Sequence, residues 1–528
     1  MRLCQSWRLR KMAAKVPTNG LNHGIPFFTG DTGSIYTHDV SGTDSTAQYN
    51  TAYGLTALDA VTTGDQNTSI GYGAGGANQT GAEQVNIGYQ AGLVCTSSGN
   101  VLIGKDAGLS ITSGEANIHI GVRAGDGYDT ESNNVSIGVD SLGGSIAGGE
   151  YNTAVGNFTL DALTSGDNNT AVGYNALTAD TAGNQSVAIG YGALAAQNFT
   201  SSTATENVAV GYNAGTSNTT GDYNTFIGGN AGTGVTTGAQ NTLIGRYAGG
   251  NFDTENHNLA IGRNALAGSV AGGEYNIAIG NYSLDALTSA DYCIGVGYNA
   301  GTAIQGGHYN TGLGYNAIGS VVSGEANTGF GYGALDSATG NHNIGIGYLA
   351  GDNITSGNKN TCIGSLTDVA AADNEYSIVI GYDVDGTGTD TFNFGRASNV
   401  VSNTFSSNAS FSRSSDGRKK TNVKDSTLGL DFINELRPVT FNWKPNNEFP
   451  KEFKDYKENV NDMNTTDTLH GMIAQDVKAA LDKAGVDTFG GWSEEADGSQ
   501  RISQEMFVHP LIKAVQELSA KIKALEEA

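Results

Sequence analysis

A short phrase of the form Asn-x-x-(Ile/Val)-Gly-x-x-Ala-(Leu/Gly) recurs across residues 50–382, and it constrains this 528-residue chain more than any other feature. Three copies begin at Asn169, Asn224 and Asn241. The anchoring glycines run from Gly54 to Gly381 in 20 units, nearly all spaced by 16, 17 or 18 residues. The one longer step, 21 residues, separates Gly190 from Gly211 across a Ser/Thr-rich insertion at 198–205. A unit near 17 residues is too short for a propeller blade or a helical pair. It suits one coil of a parallel β-solenoid, with two short strands and two turns expected per coil.

Within the phrase, the positions three and one before the glycine are often both apolar, as in Val208 and Val210. Their spacing puts both on one strand face. The glycine permits a turn that a Cβ would obstruct. The alanine three residues later allows close contact between neighbouring coils. The recurrent Asn stands four residues before the glycine in 16 of 20 units; Gln84, Ser186, Cys293 and Ser377 are the exceptions. Asn tolerates left-handed turns, and stacked amides can bond from coil to coil. At the usual strand spacing, 20 coils make a rod of about 95 Å. A coil this thin buries little on its own, so a parallel homotrimer is expected, with one face of each coil hidden against its partners.

Composition agrees with a built object. Glycine stands at 77 and proline at only 6, without the period collagen needs. The many Ile, Val and Tyr argue against a disordered chain. Net charge is −25; residues 415–528 hold 15 basic and 20 acidic side chains, so −5, leaving −20 for 1–414. Such acidity excludes a nucleic-acid partner. Cys4, Cys95, Cys293 and Cys362 lack metal-ligand spacing and predict no disulfide scaffold. His119, His257, His308 and His342 form no His-x-His pair, and neither metal nor cofactor is expected. Tyrosine follows the anchoring glycine in ten units, among them Tyr72, Tyr174, Tyr298 and Tyr332. These rings are expected to cover neighbouring coils; the alternative is a stripe that stacks on sugars. No apolar run reaches the roughly 20 residues of a membrane span. Arg2, Arg8, Arg10, Lys11 and Lys15 are followed by no apolar stretch, so no secretory signal is read. Met12 offers an alternative start that would leave out 1–11.

After Gly395 the repeat ends, and from Ser415 the texture changes to more Lys and Glu, with Trp443 and Trp492. The expected organisation is an attachment segment at 1–45, a shaft at 46–395, a neck at 396–414 anchored by Phe405 and Phe411, and a small α+β domain at 415–528. The last segment carries Leu511, Val515, Leu518, Ile522 and Leu525 at spacings of 4, 3, 4 and 3, a heptad seam suited to a three-chain coiled coil. The alternative is one face of a helix packed within its own chain.

The repeats resemble the β-roll head repeats of trimeric adhesins, and more closely the glycine-rich repeats ahead of the auto-processing domain of phage fibres. The boundary reads Ser414-Ser415-Asp416-Gly417-Arg418-Lys419-Lys420-Thr421-Asn422-Val423. It resembles the start of the intramolecular-chaperone domain of endosialidase tailspikes, Ser-Asp-x-Arg-Leu-Lys-x-Asn-(Ile/Val), departing only at Lys419, where Leu is usual. Leu436-Arg-Pro-Val-Thr-Phe-Asn-Trp443, His470-Gly-Met-Ile-Ala-Gln475 and the closing segment 504–527 continue the likeness. A serine nucleophile needs a base, and a lysine made neutral by burial can serve. The resemblance implies Ser415 as nucleophile and Lys420 as base, cutting between Ser414 and Ser415. Asp416, Arg418, Asn422, His470 and Gln475 are candidates to organise the site. The expected protein is a trimeric phage tail fibre, made in the host cytoplasm and carried on the virion. Its N-terminus would join tail proteins and its shaft or tip would meet a glycan or protein receptor. Its only enzymatic activity would be a single self-cleavage. A surface adhesin with the same rod is the alternative. A glycan depolymerase and a membrane-tethered transcription factor are disfavoured for want of an isolated carboxylate pair and of a membrane span.

Overall fold

A computed structural model of the chain describes residues 28–29, 33–37, 46–127, 129–144, 148–268, 272–397, 399–405, 412–413, 415–459, 461 and 463–528. Most of the expected attachment segment, Phe411 and Ser414 lie outside the described residues. The chain divides into two compact units, residues 1–414 and 415–528.

The first unit is a long parallel β-solenoid. Twenty strands, from Thr51–Tyr53 to Ile378–Tyr382, stand one to a repeat, each reaching its anchoring glycine. Neighbouring coils pair in parallel at repeat register, as in Thr170↔Val187, Ala171↔Ala188 and Val172↔Ile189. One strand forms per coil, where two were expected. The rest of the coil passes through left-handed residues at short intervals, such as Asn168, Asn175 and Leu177 at φ 59°, 55° and 50°, which no extended strand accommodates. Among the described residues a second pairing occurs beside the insertion, between Gly183–Asn184 and Thr203–Ala204, and as a single parallel bridge between Asp368 and Asp385.

In every one of these strands the residue two before the glycine is buried, glycine itself in four coils, and the residues on either side of it are not. The interior column therefore consists of residues two before the glycine, such as Ala154, Ala171, Ala188 and Ala209, widening locally to Leu102, Phe226 and Leu243. The alanines three after the glycine, Ala176, Ala193 and Ala214 among them, are likewise fully buried. With Ala209 turned inward, strand alternation leaves Val208 and Val210 on the outer face, where they are half-buried.

Backbone groups turned inward are satisfied by the asparagines. Asn241 Oδ1 accepts from the Asn258 N–H at 3.0 Å, and its Nδ2 donates to the Glu255 carbonyl at 2.7 Å. The ladder thus runs mainly from amide to backbone of the next coil, with amide-to-amide contacts secondary. The anchoring glycine is required by contact as well as by φ: at Gly245, φ +136°, a Cβ would stand 2.4 Å from the Gly262 carbonyl oxygen. At the far end Thr391–Arg396 continues the parallel ladder, and Asn399–Thr404 then turns back antiparallel. The expected neck is therefore partly built into the sheet, since Asn399–Thr404 also pairs antiparallel with Ser412–Arg413.

The second unit is small and α+β. Its helices are α1 (Leu430–Glu435), α2 (Ala474–Lys483) and α3 (Val508–Glu526). Strand Val439–Phe441 pairs antiparallel with Leu469–Gly471, and Trp492–Glu494 with Gln500–Ile502. Leu428, Phe432, Val477, Ala480, Leu481 and Phe507 form its core. Phe489 meets Phe507 edge to face at 5.2 Å. Glu517 on α3 accepts the Leu430 N–H at 2.8 Å and so ties α3 to the start of α1.

Candidate functional site

The first six residues of the second unit form a tight turn. Asp416 caps a 3-10 helix at Gly417–Lys419, its Oδ1 accepting the Arg418 N–H at 2.9 Å. The Arg418 guanidinium grips the same carboxylate, with Nη2 at 2.5 Å from Oδ2. These hydrogen bonds hold the Asp416 carboxyl below the usual carboxylate range. The turn ends at Lys420, which returns to extended backbone. Its Nζ then donates to Ser415 Oγ at 2.6 Å. Five residues of separation are closed by one capped turn, and the two side chains expected as nucleophile and base are in contact.

Both Ser415 and Lys420 are exposed. A lysine acts as a base once it is desolvated, so the pair in one chain is aligned and still open to water. Ser414, on the other side of the expected cut, lies outside the described residues.

The other candidates separate. Asp416 and Arg418 shape the turn itself. Asn422, at φ 54°, follows it in a left-handed conformation. His470 lies on Leu469–Gly471, opposite Thr440. Gln475 lines a cavity of about 610 Å³ with Phe441, Trp443, Phe449, Met472 and Ile502. None of Asn422, His470 and Gln475 hydrogen-bonds to the Ser415–Lys420 pair. Sequence reasoning missed that cavity, whose lining comes from three separated segments with no common spacing.

On α3, Leu511, Val515, Leu518, Ile522 and Leu525 are all exposed, Val515 at 58% and Leu525 at 78%. Pro510 and Ala514 supply the buried side of that helix. The seam is therefore not the face that packs within its own domain.

Fold and site together define a class: a β-solenoid shaft followed by a small domain whose leading serine is engaged by a lysine. Residues 415–486 match the family described as chaperone of endosialidase. The match begins at Ser415 itself. It supports a self-cleaving intramolecular chaperone in a fibre-like protein. No curated protein and no solved structure matches the chain.

Proposed function

We propose that this chain is the precursor of a trimeric phage tail fibre, and that it removes its own folding domain by cutting between Ser414 and Ser415. The observation that carries this reading is the 2.6 Å contact between Lys420 Nζ and Ser415 Oγ at the first residue of the matched segment. Ser415 Oγ attacks the Ser414 carbonyl carbon while Lys420 takes the hydroxyl proton. As the C–N bond breaks, that proton passes to the Ser415 amide nitrogen, leaving an ester between Ser414 and Ser415 Oγ. Water hydrolyses the ester, giving a Ser414 carboxylate and a new amino terminus. The reaction occurs once per chain.

Assembly supplies the desolvation that the pair lacks alone. Three α3 seams meet and hold the C-terminal domains in register, and enclosure of the Ser415–Lys420 pair makes Lys420 a base. The shaft then winds against its copies. Its outward strand face favours this: positions three before the glycine are Thr, Val, Ile or Leu in all 20 coils, and positions one before are Ile, Val, Leu, Phe or Tyr. No charge interrupts either column in a chain of net charge −25. A face about 95 Å long and about 10 Å wide far exceeds the apolar patch a monomer leaves in water. A one-unit slip between near-identical coils costs little locally, so a C-terminal template is needed to set register. Cutting it away traps the finished rod. On the virion, residues 1–45 join the tail and the shaft or its tip meets the host receptor. Ser415→Ala and Lys420→Met should each leave the chain uncut on a denaturing gel while wild type releases a C-terminal fragment. Cleavage in both variants would exclude this site.

A further inference from the structure

Five residues before each anchoring glycine lies a second column, and aromatic rings occupy it in one run of coils. His257, Tyr275, Tyr292 and Tyr309 stack in sequence at 4.7, 5.2 and 5.3 Å between centroids, with planes within 9°. The next coil places Ala326 there, and the one after places His342. Tyr309, Ala326 and His342 share one backbone conformation, φ 60°, 55° and 58°, so their side chains leave the coil in the same direction. Coil-to-coil hydrogen bonds fix the order: the Ala326 N–H donates to the His308 carbonyl and the His342 N–H to that of Glu325. The column thus has one ring missing. Tyr309 is 60% exposed against 48% for Tyr292 and 44% for Tyr275, which marks its uncovered outer face.

We propose that this gap binds one pyranose ring of a neutral carbohydrate between Tyr309 and His342, over Ala326. Two coil steps separate the walls by about 10 Å. Contact needs about 3.5–4.0 Å on each side of an inserted ring, so the gap takes one ring. The adjoining polar column is interrupted at the same level. Six before the glycine, Asp291 Oδ1 accepts the Glu274 N–H, His308 Nδ1 the Asp291 N–H, Asn341 Oδ1 the Glu325 N–H, and Asn358 Oδ1 the Asn341 N–H. Glu325 breaks this series: its exposed side chain makes no hydrogen bond or ion pair with any described residue. A pyranose offers apolar C–H faces to two rings and hydroxyl donors to a carboxylate. A purely aromatic ligand would leave the carboxylate unused, and an acidic sugar would be repelled by it.

The inference deepens the reading of the shaft as an attachment fibre and rests on it. The test uses the full-length protein with methyl glycosides of glucose, galactose, mannose and N-acetylglucosamine in saturation-transfer NMR. Ala326→Tyr fills the gap with a side chain that the coil below already carries at this position, and Tyr309→Ala removes a wall. Wild type should transfer saturation to at least one glycoside, falling about tenfold in each variant, with an unchanged melting temperature for Ala326→Tyr. Transfer to none, or equal transfer in wild type and Ala326→Tyr, overturns the proposal. Adsorption to bacterial cells, scored separately, tests the attachment reading: adsorption that Ala326→Tyr leaves intact overturns the gap alone.

Discussion

At the scale of single residues, the proposed cleavage site needs a turn as well as its two reacting groups. Asp416 accepts from the Arg418 backbone and side chain at once, and Lys420 is thereby delivered to Ser415. Asp416→Asn keeps a capping oxygen and loses the ionic grip, so the rate of self-cleavage should fall about tenfold without loss of the fold, as timed on a gel. Sequence alone suggested Asp416 and Arg418 as organisers but gave their form no shape, because capping geometry depends on backbone angles. A second residue-scale effect lies in the shaft. His119 fills the interior column where Leu102 stands one coil away, bonded to Ser136 Oγ at 2.8 Å, and burial lowers its pKa to about 3. The unfolded chain binds that proton near pH 6.5 and the folded chain does not. This contribution to stability is therefore whole above pH 6.5 and is lost as pH falls toward 3, on the order of a few kcal/mol at the lower limit. His119→Leu should flatten this part of the melting-temperature profile; an unchanged acid slope would show that His119 is not its source.

At the scale of the coil, the repeat's glycine, asparagine and alanine were legible because each answers a local demand. The orientation of the apolar residues was not. A period of two says that Val208 and Val210 share a face, and it leaves open whether that face or Ala209 points inward. The turns that close the coil decide it: they bring Ala209 inside, and the same interior position takes Leu102, Phe226 and Leu243 in other coils. The single strand per coil has the same origin, since left-handed residues such as Leu177 carry no sequence mark that separates them from strand residues. The ladder makes a direct prediction. Asn241→Ala strands the Asn258 N–H and the Glu255 carbonyl inside the solenoid and should cost about 2–4 kcal/mol by thermal or denaturant unfolding. The shaft already tolerates a weaker rung at Cys293, whose Sγ meets the Gly307 carbonyl at 3.2 Å. Gly245→Ala should be at least as damaging, because its Cβ meets backbone of the next coil.

At the scale of the whole molecule, two uncharged surfaces stay open or half-open among the described residues: the outward strand face of the shaft and the α3 seam. The first runs the length of the solenoid and the second is short, so in the proposed trimer the first would clamp the chains and the second would set their register. Leu518→Lys in the seam should lower the trimer fraction seen by light scattering and lower self-cleavage with it. Ile244→Lys on the shaft face should disturb the rod while leaving cleavage largely intact. Loss of cleavage in neither would separate the site from assembly.

The most direct measurement is the intact mass of purified wild-type protein beside Ser415→Ala. Self-cleavage at this bond should give two wild-type species, one ending at Ser414 and one comprising residues 415–528, with the variant present only as the uncut chain. A single uncut mass in wild type, or the same two fragments in the variant, would contradict it.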